Sequence, residues 1–144
     1  MLAQEGAATK NHRPPISVQL KSGLFGLGIE AEVGLPQPQN SLFINSQTEG
    51  FLLIGSWSTT MLGLKKYYDD DLYIKYGCGW YATETFGSVS RYGPSISVAL
   101  GWKWAKPNFY WGFEAGGIGV NYLLSDGNFS GYVHVPSLFI GKVF

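Results

Sequence analysis

The sequence is poor in the features that most activities draw on. It has one cysteine, Cys78, in 144 residues, which excludes an internal disulfide and any cysteine metal cluster. Charged residues make up 14%, against about 25% in an ordinary soluble domain. Ten Lys and Arg balance ten Asp and Glu, so no basic field attracts nucleic acid. The aromatics also lack the interleaved basic clusters of a single-strand binder. The longest apolar run, Phe51-Leu52-Leu53-Ile54, falls far short of the roughly 20 residues that a membrane-spanning helix needs. Two separated histidines, His12 and His134, give no metal site. The N-terminus has no charged region followed by an apolar core. Export therefore requires Met1-Leu2-Ala3-Gln4 to be the remnant of a cleavage site.

Glycine (20 residues) and aromatics (16%) are what the chain has instead, and both follow a pattern. In Pro94 to Tyr122, Ile96, Val98, Leu100, Trp102 and Trp104 alternate with Ser95, Ser97, Ala99, Gly101 and Lys103. After the turn Ala105-Lys106-Pro107-Asn108, Phe109, Trp111 and Phe113 alternate with Tyr110, Gly112 and Glu114. Period two marks strands with two different faces. Here one face is bulky and aromatic. The other is small, with a charge set into it. Ordinary wet surfaces carry long polar side chains, whereas a narrow barrel interior has room only for small ones. The bulky face then meets lipid. This predicts an all-β fold, an antiparallel up-and-down transmembrane β-barrel, with a flexible lead-in over residues 1–14 and one barrel domain over 15–144.

The rest of the chain repeats the pattern. Ile16, Val18 and Leu20 alternate with Ser17, Gln19 and Lys21. Beyond Ser22-Gly23 the phase flips, and Phe25, Leu27 and Ile29 oppose Gly26, Gly28, Glu30 and Glu32. A turn at Gly23 gives eight strands and a bulge gives six. Eight is preferred, since six falls below known barrels. Residues 41–45 read as a short strand, 46–50 as a loop, 51–64 as a strand and 65–71 as a charged turn. Leu72, Ile74, Tyr76, Cys78 and Trp80 then face one way, with Lys75 among the small residues opposite. Residues 83–93 read as a polar loop, Gly116-Gly117 as a bulge, 125–128 as a turn and 131–144 as the closing strand.

The predicted lipid-facing set is Phe25, Leu27, Ile29, Ile74, Tyr76, Trp80, Val98, Leu100, Trp102, Trp104, Phe109, Trp111 and Phe113. Glu30, Glu32, Lys75, Lys103 and Glu114 share the small face. Charges in a low-dielectric lumen must be paired or hydrated, so these five are expected to form a salt-bridged plug. Glu30 and Glu114 as an acid/base pair is the weaker reading, because nothing supplies a nucleophile or a cleft. Asp69-Asp70-Asp71 lacks calcium-loop spacing. No cofactor or metal is expected.

The chain ends in Phe144 at the close of a β-patterned segment, and it carries the run Phe-Glu-Ala-Gly-Gly-Ile-Gly-Val at 113–120. In these features it resembles the small outer-membrane barrels of Gram-negative bacteria, the OmpA/OmpX type. The resemblance implies outer-membrane localisation, lipid as the surrounding partner, and Phe144 as the signal read by the barrel-assembly machinery. The third residue from the end, usually aromatic or apolar in that signal, is Lys142. By the same analogy, the 105–108 and 65–71 turns are periplasmic, and 83–93 and 123–130 are surface loops open to an unidentified ligand. Barrels that deacylate lipid A carry a histidine and a serine two apart on one strand. Here Pro136 stands at that offset from His134, and period two puts Ser137 on the opposite face. The expectation is a non-enzymatic structural or surface-interaction protein. Its rivals are a soluble barrel binding an apolar ligand and a lipid-modifying enzyme.

Overall fold

A computed structural model describes residues 16–23, 26–37, 39–51, 55–68, 71–85 and 88–144. The lead-in, Phe25, Asp69 and Asp70 lie outside the described residues. The described residues form nine strands: β1 (Ile16–Gly23), β2 (Gly26–Gly34), β3 (Asn40–Phe51), β4 (Gly55–Tyr67), β5 (Leu72–Thr85), β6 (Ser88–Lys106), β7 (Phe109–Leu123), β8 (Asn128–His134) and β9 (Ser137–Val143). Each of β1 to β7 pairs antiparallel with the next. The strand β7 then pairs with both β8 and β9, and β9 pairs with β1. The sheet is therefore a closed ring. The last two strands occupy a single place in it, so the wall is eight strands around. Closure through β9 removes most of the sheet's edge, while β8 is laddered to β7 alone and keeps its other side unpaired among the described residues.

The chain turns between Gly23 and Gly26, so the eight-strand reading holds. Other boundaries differ from those expected. Residues 46–50 belong to β3, which runs to Phe51. The next strand begins at Gly55 rather than at residue 51. Lys65, Lys66 and Tyr67 complete β4 instead of opening a turn, and the 83–93 segment is mostly strand on β5 and β6. Gln47, Glu49 and Lys65 of these stretches face a polar lumen, where polarity does not mark a break in structure. As a result, β1/β2, β3/β4 and β5/β6 are joined by residues 24–25, 52–54 and 86–87 alone, and β7/β8 by residues 124–127. The surface loops expected at 83–93 and 123–130 are thus largely strand among the described residues of this end, the distal end. The other end, where β1 begins, β9 finishes and β6 turns into β7 at 107–108, is the termini end.

The closing strand is broken at Val135-Pro136. The ladder pairs Gly117 with His134 and Glu114 with Ser137, skipping two residues on each side. Proline has no N–H to give a neighbouring strand. Opposite it, β7 bulges. Leu100 pairs with Gly116 but Gly101 pairs with Glu114, so Ala115 is extra. Gly116 has φ of 123°, a region that only glycine enters cheaply. The expected bulge is thus present, and it and the proline break face each other across one pair of strands.

Candidate functional site

Period two on a closed ring sends alternate side chains in and out, and their distribution here is inverted relative to a soluble barrel. Leu27 is 72% exposed and Ile118 68%, and Ile29, Tyr76, Trp80, Val98, Leu100, Phe109 and Trp111 are also exposed. Trp102, Trp104, Phe113 and Ile74 point to the same outer side and are half-buried by their neighbours. Trp104 and Trp111 pack with ring centroids 4.4 Å apart, and Trp102 stacks on Phe113. The buried side chains include Lys21, Glu30, Glu32, Lys65, Lys75 and Glu114. A soluble ligand-binding barrel would place the bulky face inside, so that alternative is overturned.

In the termini half of the lumen the acids and lysines are in direct contact. Glu30 on β2 is met by Lys21 Nζ at 2.9 Å from β1, by Lys75 Nζ at 3.3 Å from β5 and by Lys65 from β4. Gln19 Nε2 donates to its Oε1 at 3.0 Å. Glu114 on β7 accepts from Lys21 at 2.8 Å and Lys75 at 2.9 Å, and from the Tyr73 hydroxyl at 3.2 Å. Glu32 accepts from Lys65 at 2.9 Å, Lys103 at 3.2 Å, and the hydroxyls of Tyr67 and Ser41, both at 2.7 Å. Lys65 and Lys103 also lie over the rings of Tyr73 and Tyr110 at 4.8 and 4.2 Å. All five expected residues are in this cluster. Lys21 and Lys65 were missed. Lys21 shares its phase with Ser17 and Gln19, a usable signal, whereas Lys65 was hidden inside an apparent turn although it is 0% exposed.

Small residues make the space for the large ones. A Cβ on Gly101, Gly119 or Gly141 would run into the ring of Tyr73, Tyr132 or Tyr110 respectively. Each tyrosine lies over the glycine paired with it on the neighbouring strand and extends its hydroxyl to the strand beyond, Tyr73 to Glu114, Tyr132 to Ser95 and Tyr110 to Ser17.

The distal half has a different chemistry. Glu49 on β3 accepts from Trp57 Nε1 at 3.1 Å on β4 and from its neighbour Gln47. Across the lumen it accepts the Val135 N–H at 3.4 Å, and His134 Nδ1 lies 3.4 Å from it. Val135 is one of the residues at the broken ladder, so a carboxylate from the opposite wall takes up a backbone donor that its own sheet leaves free. The Tyr132 hydroxyl shares a hydrogen bond with Ser95 Oγ at 2.9 Å, and the Tyr132 ring packs on Tyr81 and edge-on against His134. Asn121 is buried here as well. Ser137 is buried on the same lumenal side as His134, contrary to the expectation from period two, because the Val135-Pro136 break resets the phase.

No family model and no curated protein matches the sequence. Among solved structures, the chain is similar to the outer membrane protein Ail of Yersinia pestis in a phospholipid bilayer nanodisc, with 15% identity, 91% of this chain and 99% of that chain covered, and a TM-score of 0.50. The crystal structure of Ail, the attachment invasion locus protein, aligns at 13% identity over 90% and 97% of the two chains, with a TM-score of 0.51. Ail in complex with the heparin analogue sucrose octasulfate aligns at 11% identity over the same shares, with a TM-score of 0.52. At these identities the likeness is one of fold: a small eight-stranded β-barrel of the outer-membrane type.

Proposed function

We propose that this chain is a small outer-membrane β-barrel without catalytic activity, its lumen plugged by salt bridges and its main role structural. The observation that carries the reading is the inversion of the wall, with aliphatic and aromatic side chains outside and lysines and glutamates inside. In water the exposed bulk of Leu27, Ile29, Ile96, Ile118 and Val133 would be a large aggregation-prone surface. In hydrocarbon it costs nothing, and the ring closed through β9 pairs most of the wall's backbone, as a membrane requires. The Lys21–Glu30–Lys75–Glu114 cluster, continued by Lys65, Glu32 and Lys103, crosses the lumen from several walls and would bar ions. Phe144 remains the proposed assembly signal, and lipid and the assembly machinery the proposed partners.

A surface ligand gets little support at the distal rim. The connections there are at most four residues long. Among the described residues the rim's cation is Arg91, which is itself paired with Asp126 at 3.1 Å. A polyanion such as the one complexed with Ail would find no basic cluster among them.

Refolded into micelles, the protein should migrate differently on a denaturing gel with and without boiling. It should also float with lipid vesicles and pass no discrete current in a planar bilayer. A monodisperse, folded species in detergent-free buffer would end the membrane reading, and resolved conductance steps would end the plug.

A further inference from the structure

The outer wall is not apolar all the way round. On β3 the outward residues run Leu42, Ile44, Ser46, Thr48, and on β4 they run Leu62, Thr60, Ser58 in the opposite sense. Ser46 pairs with Thr60 and Thr48 with Ser58, so four hydroxyl-bearing residues form a block on one wall. At comparable levels, β5 to β8 present Cys78, Trp80, Ile96, Ile118, Val120 and Val133.

The height of this block follows from the ladder. A row of paired residues starts at Trp111 on β7 and passes through Ile140, Leu20, Ile29, Ser46, Thr60, Trp80 and Pro94. Pro94 adjoins Ser95, whose partner is Asn121, so the row returns to β7 at Tyr122, eleven residues further along the same strand. At about 3.3 Å per residue and a tilt near 40°, that climb is roughly 25–30 Å, about the full apolar band of such a barrel. It runs from the Trp104–Trp111 girdle to the Tyr122–Phe129 pair. Ser46 and Thr60 fall at the fourth and fifth of its eight steps. They sit in the middle of the band, and Thr48 and Ser58 lie above them in its distal half.

Hydroxyls at that depth need partners. Ser46 Oγ and Thr60 Oγ1 lie 3.4 Å apart, which uses one of the pair's two donors. Each hydroxyl both donates and accepts, so the block is complementary to itself. Serine and threonine are also small enough for two sheets to approach closely. We infer that the β3–β4 wall is where a second copy of this chain docks within the bilayer, by a two-fold contact in which the two hydroxyl blocks satisfy each other. This inference rests on the membrane reading.

The test replaces Cys78 with serine and introduces a single cysteine, Thr60→Cys on the hydroxyl wall or Ile118→Cys on another wall, in protein reconstituted into vesicles. Oxidation should give a disulfide dimer for T60C and little for I118C. On the cysteine-free background, joint replacement of Ser46, Thr48 and Thr60 by valine and Ser58 by alanine should shift the monomer–dimer midpoint by at least roughly tenfold towards monomer. Heat-modifiable migration should be retained. Equal cross-linking at both positions, or a dimer unmoved by the four replacements, would overturn the inference. So would rapid labelling of T60C by a membrane-impermeant thiol reagent, since the hydroxyls would then face water above the lipid. Failure to float with vesicles would instead sink the membrane reading itself.

Discussion

The two halves of the lumen are lined by the same strands and filled by opposite means. Near the termini, four lysines and three glutamates satisfy one another. Near the distal end, one carboxylate, Glu49, holds a tryptophan, an amide, a backbone N–H and a histidine, and tyrosine rings fill the rest. The difference follows from what each wall lacks. The termini half has intact ladders and needs only filling, so its charges are free to neutralise each other. The distal half borders the proline break, and its carboxylate is committed to backbone repair.

That contrast sets the order of expected effects. Glu30→Ala should be the most damaging single change, because it strips a partner from Lys21, Lys65 and Lys75 at once. Removing one member of a buried ionic cluster costs about 3–5 kcal/mol, read as a lower urea midpoint in micelles at unchanged slope. A loss below about 1 kcal/mol would mean that water reaches the cluster. Glu49→Gln should cost less, about 1–3 kcal/mol, since it weakens bonds without stranding a lysine. Its signature should be a shift in Trp57 fluorescence, absent from E30A. Tyr132→Phe, which removes the hydroxyl that bonds Ser95, should cost about 1 kcal/mol. The smallest effect sharpens the comparison most. If the halves are independent, the E30A and E49Q losses should add to within about 0.5 kcal/mol. A larger coupling would make the lumen a single network.

Much of this was legible in the residues. Alternation in β5, in β6 and on either side of the bulge in β7 marks the strands and shows which side chains share a face, because period two survives in an antiparallel ring wherever the ladder is regular. The inside-out assignment followed from glycine opposite bulk, as in Gly101 beside Trp102. It failed where polar residues crowd. Gln47 and Glu49 resemble loop until a polar interior is there to receive them, and Lys65 looks like the start of a charged turn. The pairing of Glu49 with Val135 is not local at all. The two residues are brought together only by closure of the ring, and no spacing along the chain encodes it. The phase reset at Pro136, which turns Ser137 inward, was signalled by the proline but not by the alternation.

The seam of the ring joins the first described strand to the last. Ser17 faces Val143, and the Phe144 N–H donates to the Ile16 carbonyl at 2.8 Å. A partly assembled wall therefore has two raw rims until the final seven-residue strand arrives. Unpaired rims are costly in hydrocarbon, so the seam should zip as the wall sinks into the bilayer and not afterwards. Deleting β9 should leave an uninserted aggregate, not a looser cylinder.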